Sequence, residues 1–122
     1  MPEIIQVNRD EWEKYEMDQF SALRYVSTDA GGDYYLNMDN TYLLNELKGV
    51  RDQNKSELTK ARYTYSMALI AMSVISFFKN NKKDDEDVDI ESQVAQITTM
   101  ISPVLIPMLD SMATLDISDY VA

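Results

Sequence analysis

"ARYTYSMALIAMSVISFFKN", residues 61–80, decides the fold, because sixteen of its residues in a row, Tyr63 to Phe78, carry no charge. A helix that crosses a bilayer needs about 20 predominantly apolar residues. This run is shorter, it opens on the amphipathic or polar Tyr63-Thr-Tyr-Ser66, and Arg62 and Lys79 flank it closely. Basic residues at both ends set no orientation by the positive-inside rule. On a helical wheel Ser66, Ser73, Ser76 and Asn80 share one narrow stripe with Leu69, while Met67, Ile70, Met72, Val74, Ile75, Phe77 and Phe78 spread over the rest. A helix apolar round most of its circumference is the centre of a bundle or is buried by another subunit. The stretch reads as a core helix.

Working upstream, helical periodicity extends from Leu43 to Lys79. Its seam is Leu43, Leu47, Val50, Asn54, Leu58, Ala61, Tyr65, Ala68, Met72 and Ile75. No proline interrupts it and Gly49 is the only strong helix-weakening residue, so the pattern predicts one long helix. A break near Asp52–Lys55 is the alternative, because Asn54-Lys-Ser-Glu57 has capping-box spacing. With that seam centred, Lys48, Arg51, Lys55 and Arg62 fall on one flank and Glu46 and Glu57 on the other. A parallel self-pair would set acids against bases along both edges, with Asn54 fixing register. The competing use of the seam is packing on the chain's own first and last helices.

Nearer the N-terminus, Asn8-Arg-Asp-Glu11 is another capping box. It predicts a first helix from about Arg9 to Ser27, with Trp12, Tyr15, Phe20, Leu23 and Val26 on its apolar side. The preceding "EIIQV" reads as a short strand or a packed arm. Gly31-Gly32 among Asp and Thr is the strongest turn signal, and Asp39, Asn40 or Thr41 caps the next helix. Downstream, residues 80–89 form an acidic linker. Ile90, Val94, Ile97 and Ile101 then mark one helix face, and Ser102-Pro103 predicts a stop or kink. The expected fold is all-α: a single domain over residues 1–122, a bundle of three to four helices dominated by one long helix and completed by self-association.

Composition narrows the chemistry. The 122-residue chain carries 21 acids against 11 bases, a net charge of −10. That disfavours direct contact with nucleic-acid phosphates or anionic lipid. It has no cysteine and no histidine, which removes disulfides, the usual zinc sites and histidine-based nucleophile systems. "MPEIIQVNRD" lacks the basic and apolar regions of a secretory signal, so a soluble intracellular (cytoplasmic) location is expected.

Three patterns stand as candidate sites. Glu13-Lys-Tyr-Glu16 places two carboxylates on one helical face, the spacing with which helical nucleotide pyrophosphohydrolases hold magnesium. The second pair such an enzyme needs would be Glu86-Asp-Val-Asp89, about seventy residues on and inside the linker, so a solvated charged face is the better reading. Ser76-Phe-Phe-Lys79 has S-x-x-K spacing without the K-T-G or S-D-N that accompanies it in serine acyl-enzymes. Asp84, Asp85, Glu86, Asp87 and Asp89 form an acidic run that suits a solvated linker or a basic protein partner, and it lacks the glycine and alternation of a calcium loop.

The expected function is therefore a non-enzymatic acidic interaction module, a small subunit, assembly adaptor or inhibitor. It would self-associate through Leu43, Leu47, Val50, Asn54, Leu58, Ala61, Tyr65, Met72 and Ile75 and act through a protein partner, with no cofactor and no metal. A viral or mobile-element source fits such a chain. The alternatives are an acidic DNA mimic that blocks a nucleic-acid-handling protein and, third, a magnesium-dependent all-α nucleotide hydrolase.

Overall fold

A computed structural model describes residues 2–81 and 88–113. Strand β1 (Ile4–Val7) leads into a 3₁₀ turn (Arg9–Glu11) and the one-turn helix α1 (Trp12–Tyr15). Strands β2 (Leu23–Val26) and β3 (Asp33–Asn37) come next, then helices α2 (Thr41–Leu47), α3 (Gln53–Asn80) and α4 (Ile90–Ala113). The chain is mostly helical and α3, with 28 residues, dominates it. A three-stranded sheet takes it out of the all-α class: β3 is central, parallel to β1 and antiparallel to β2.

The expected first helix ends early. Asn8 and Glu11 do start a helical turn, with the Asn8 N–H donating to Glu11 Oε1 at 3.3 Å. Glu16 then adopts a left-handed conformation, φ 55°, and Asp18 Oδ1 accepts from the amides of Phe20 and Ser21 at 2.8 and 3.1 Å. That turn sends Leu23-Arg-Tyr-Val into β2, where its β-prone residues pair with β3. The supposed apolar side therefore scatters: Leu23 is buried while Phe20 and Val26 are exposed.

Side chains alternate across the sheet. Leu23, Tyr25 and Leu36 join the core with Leu43 of α2, Tyr63, Met67, Ala71 and Ile75 of α3, and Val94 and Ile106 of α4. On the opposite face Tyr35 stacks on Tyr15 with ring centroids 4.6 Å apart, and the Trp12 indole donates to Asn37 Oδ1 at 2.9 Å. The β2–β3 turn needs Gly32 because a Cβ there would lie 2.2 Å from Tyr25 Cε1.

The predicted single helix over 43–79 is two. Asn40 caps α2 by accepting from the Tyr42 and Leu43 amides, and α2 ends at Leu47. Gly49, at φ 82°, turns the chain in a backbone region that favours glycine. Asp52, two residues ahead of the alternative cap Asn54, then starts α3 by accepting from the Asn54 amide at 2.9 Å. The helix α4, by contrast, runs through Pro103 and Pro107 rather than stopping there. Both proline rings are exposed, and the buried Ser102 hydroxyl donates to the Thr98 carbonyl at 2.6 Å.

Helix α3 is pinned to the sheet by one buried polar contact. The Tyr63 hydroxyl donates to the Asn37 carbonyl at 2.7 Å, and burial holds its pKa far above the usual phenol value. Replacing Tyr63 with Phe keeps the ring and orphans a buried carbonyl. The expected result is a loss of about 1–3 kcal/mol, read as a lower denaturation midpoint with unchanged slope. Asn37→Ala, which removes several bonds at once, is expected to cost more in the same measurement.

Candidate functional site

The residues of the predicted seam part company in the structure. Leu43 and Ile75 are buried in the core, Leu47 packs against it, and Ala61 and Val50 are half-buried. Asn54 is exposed in the first turn of α3, so it occupies no buried seam position. Leu58, Tyr65 and Met72 point outward, with relative exposures of 50, 61 and 40%. The reason is rotational. Positions 58, 65 and 72 and positions 61, 68 and 75 form two adjacent rows, and the sheet side of the molecule takes the second.

Leu69, 66% exposed, shares the polar stripe on the wheel, yet it completes the outward row. Residues 58, 65, 69 and 72 fall within an arc of about 60° at 100° per residue. On α4, Met100, Val104, Met108 and Met112 are also exposed, with Met112 beside Leu58 and Tyr65 of α3 and Met100 on the β2 side. Their spacing of four is a readable signal that the proline punctuation obscures. Between the two helices runs a shallow trough of about 570 Å³, lined by Leu58, Ala61, Tyr65, Leu109 and Met112.

The flanking charges change as well. Lys48 and Arg51 lie in the connection between α2 and α3, and Glu46 lies on α2, so the acid–base edges expected of one continuous helix do not form on α3. Instead Arg62 Nη1 reaches Asp110 Oδ1 of α4 at 3.4 Å, and the Thr59 hydroxyl meets the same carboxylate at 3.0 and 3.1 Å. These bonds set the start of α3 against the end of α4, so the two helices run antiparallel. Glu46 of α2 joins the corner. Burial first, then the Asp110 charge and a hydrogen bond with Asp110, raise its pKa above the ordinary carboxylate value.

Other sequence candidates resolve differently. Asp89 is exposed and caps α4, accepting from the Ser92 amide at 3.2 Å. Asp84, Asp85, Glu86 and Asp87 lie outside the described residues, as does most of the linker. Glu16 pairs with Arg24 at 2.6 Å rather than with Glu13. The Ser76 hydroxyl accepts from Asn80 Nδ2 at 3.2 Å. Among the described residues no group of three or more acids is arranged to hold a metal ion.

Comparison with protein-family models, with curated proteins and with solved structures finds no match to this chain.

The three-helix corner carries a pH signature. A carboxyl whose pKa is raised on folding binds its proton more tightly in the native state. Its contribution is present below the unfolded value and is lost as pH rises through the folded one. Glu46→Gln, with an amide N–H to donate to Asp110, is expected to raise the melting temperature at pH 7 and to flatten the decline between acid and neutral pH. A melting temperature at pH 7 equal to or below that of the parent chain would contradict the raised pKa of Glu46.

Proposed function

We propose that this chain is a non-enzymatic protein-interaction module, a small subunit, adaptor or inhibitor, that self-associates and acts through a protein partner. The observation that carries the reading is the outward apolar row of α3, Leu58, Tyr65, Leu69 and Met72, on a helix whose opposite side fills the core. Contiguous exposed apolar surface of this kind marks interaction sites. Tyrosine within it adds area and a polar tip at small entropic cost.

Composition supports the non-enzymatic reading, since the chain has neither histidine nor cysteine. A soluble, intracellular location belongs to the same proposal. Helices α3 and α4 are long and apolar enough to cross a membrane by length and composition. What favours the soluble reading is that Met67, Ala71 and Ile75 of α3 are packed against the sheet and α4. The DNA-mimic alternative leans on residues 84–87, and the hydrolase alternative on Glu16, which is engaged by Arg24.

Light scattering at tens of micromolar is expected to report a dimer or larger assembly without detergent. Tyr65→Lys combined with Leu69→Lys should return it to monomer mass, while the melting temperature moves little because both side chains face solvent. A monomeric parent chain at that concentration would end the self-association reading. Recovery solely from the membrane fraction would end the soluble one.

A further inference from the structure

The sheet stops one strand short of the helices beneath it. In β1, the Val7 carbonyl accepts from the Met38 amide at 2.9 Å. With Val7 paired to Asn37 in parallel register, Val7 and Ile5 aim their backbone groups at β3. Ile4 and Gln6 therefore aim theirs away from the sheet, along an edge that no described strand pairs with.

Edge strands are normally blunted by lysine, proline or a bulge. The segment Ile4-Ile-Gln-Val7 contains no charge and no proline. Beside it lies a groove of about 760 Å³. Ile4 and Gln6 line its strand side, and Leu44 and Leu47 of α2 with Ala61 and Tyr65 of α3 line its helix side. A fourth strand hydrogen-bonded to β1 would drop alternate side chains onto that helical wall.

We infer that the β1 edge and this groove take an extended segment of a partner protein as a fourth strand, one with alternating apolar side chains and basic flanks. The inference deepens the protein-interaction reading and rests on it, but uses a face that shares only Tyr65 with the outward row of α3. Backbone pairing supplies the affinity and the groove selects the side chains. The charge preference comes from the rim. Glu57 is paired to Lys60 at 3.7 Å, leaving Asp39 in the groove wall as the net charge. A second copy fits poorly, because twofold pairing of two β1 edges sets both copies' α2 and α3 on the same face, where α2 and α3 already stand.

Gln6→Pro is the decisive variant. Proline deletes the outward N–H of Gln6 and leaves the β1–β3 ladder whole, and an edge strand tolerates it where that N–H faces solvent. A random library of peptides of about seven residues, displayed on phage, serves as the probe. Selected peptides are expected to alternate apolar residues, carry lysine or arginine, and slow hydrogen exchange at the Gln6 amide. Their affinity should fall about tenfold or more for Gln6→Pro, and equally when alternate backbone nitrogens of the peptide are methylated. The methylated peptides read the same contact on the parent chain should Gln6→Pro fail to fold. No enriched peptide, or peptides indifferent to both changes, would overturn the inference. So would a Gln6 amide already protected in the isolated chain, which would assign the edge to the chain's own residues. Loss of self-association in Gln6→Pro would assign it to a second copy and overturn it too. The assembly mass of Tyr65→Lys/Leu69→Lys tests the broader reading separately, so either can fail alone.

Discussion

Asn37 is the point at which the layers of this molecule meet. It is fully buried at the end of the central strand, and every polar group it has is used. Its N–H donates to the Ala22 carbonyl, and its carbonyl accepts from Tyr63 of α3. Its side-chain oxygen accepts from the Trp12 indole and the Asp39 amide, and its side-chain nitrogen donates to the carbonyls of Asp18 and Ser21. Unpaired buried polar groups are costly, so this arrangement tolerates no partial version. It fixes the small helical turn on one face, the approach to β2, and α3 on the other face. Asn40 repeats the device three residues later, capping α2 while donating to the Ser21 carbonyl at 3.0 Å.

A size mismatch results from that anchoring. Strands of four or five residues are about 15 Å long at 3.3 Å per residue, whereas 28 helical residues span about 42 Å. A sheet so small cannot cover a helix so long. Tyr63, Met67, Ala71 and Ile75 find the core and Ile70 and Val74 pack against it, while Leu58, Tyr65, Leu69 and Met72 stay exposed. The groove beside β1 is one consequence, whereas the outward row is bare because it lies on the side of α3 turned away from the core. The corner of Glu46, Thr59, Arg62 and Asp110 closes one end of this arrangement with polar contacts among three helices.

By itself the sequence determined the helical core. The uncharged run from Tyr63, the turn at Gly31-Gly32, the capping signal at Asn8-Glu11 and the helix face of Ile90, Val94, Ile97 and Ile101 are local patterns, and local periodicity reads them correctly. It also placed Leu58, Tyr65 and Met72 on one seam with Ala61, Ala68 and Ile75. What it left open was which of two adjacent apolar rows the rest of the chain would cover. Only the tertiary structure decided that, because a wheel shows which residues share a face and carries no information about what packs there. The same limit explains β2, which the sequence read as part of the first helix, while β1 was legible as a short strand or packed arm. Leu23-Arg-Tyr-Val is too short for a period of two to stand apart from a helical one, and β1 pairs with a segment thirty residues away. The break at Gly49 was present as a single weak residue, and the docking of Leu43 and Tyr63 into one core turned it into a bend. Proline in α4 erred the other way: packing of Val94, Thr98, Ser102 and Ile106 against the molecule outweighed a local penalty that the sequence alone read as a stop or kink.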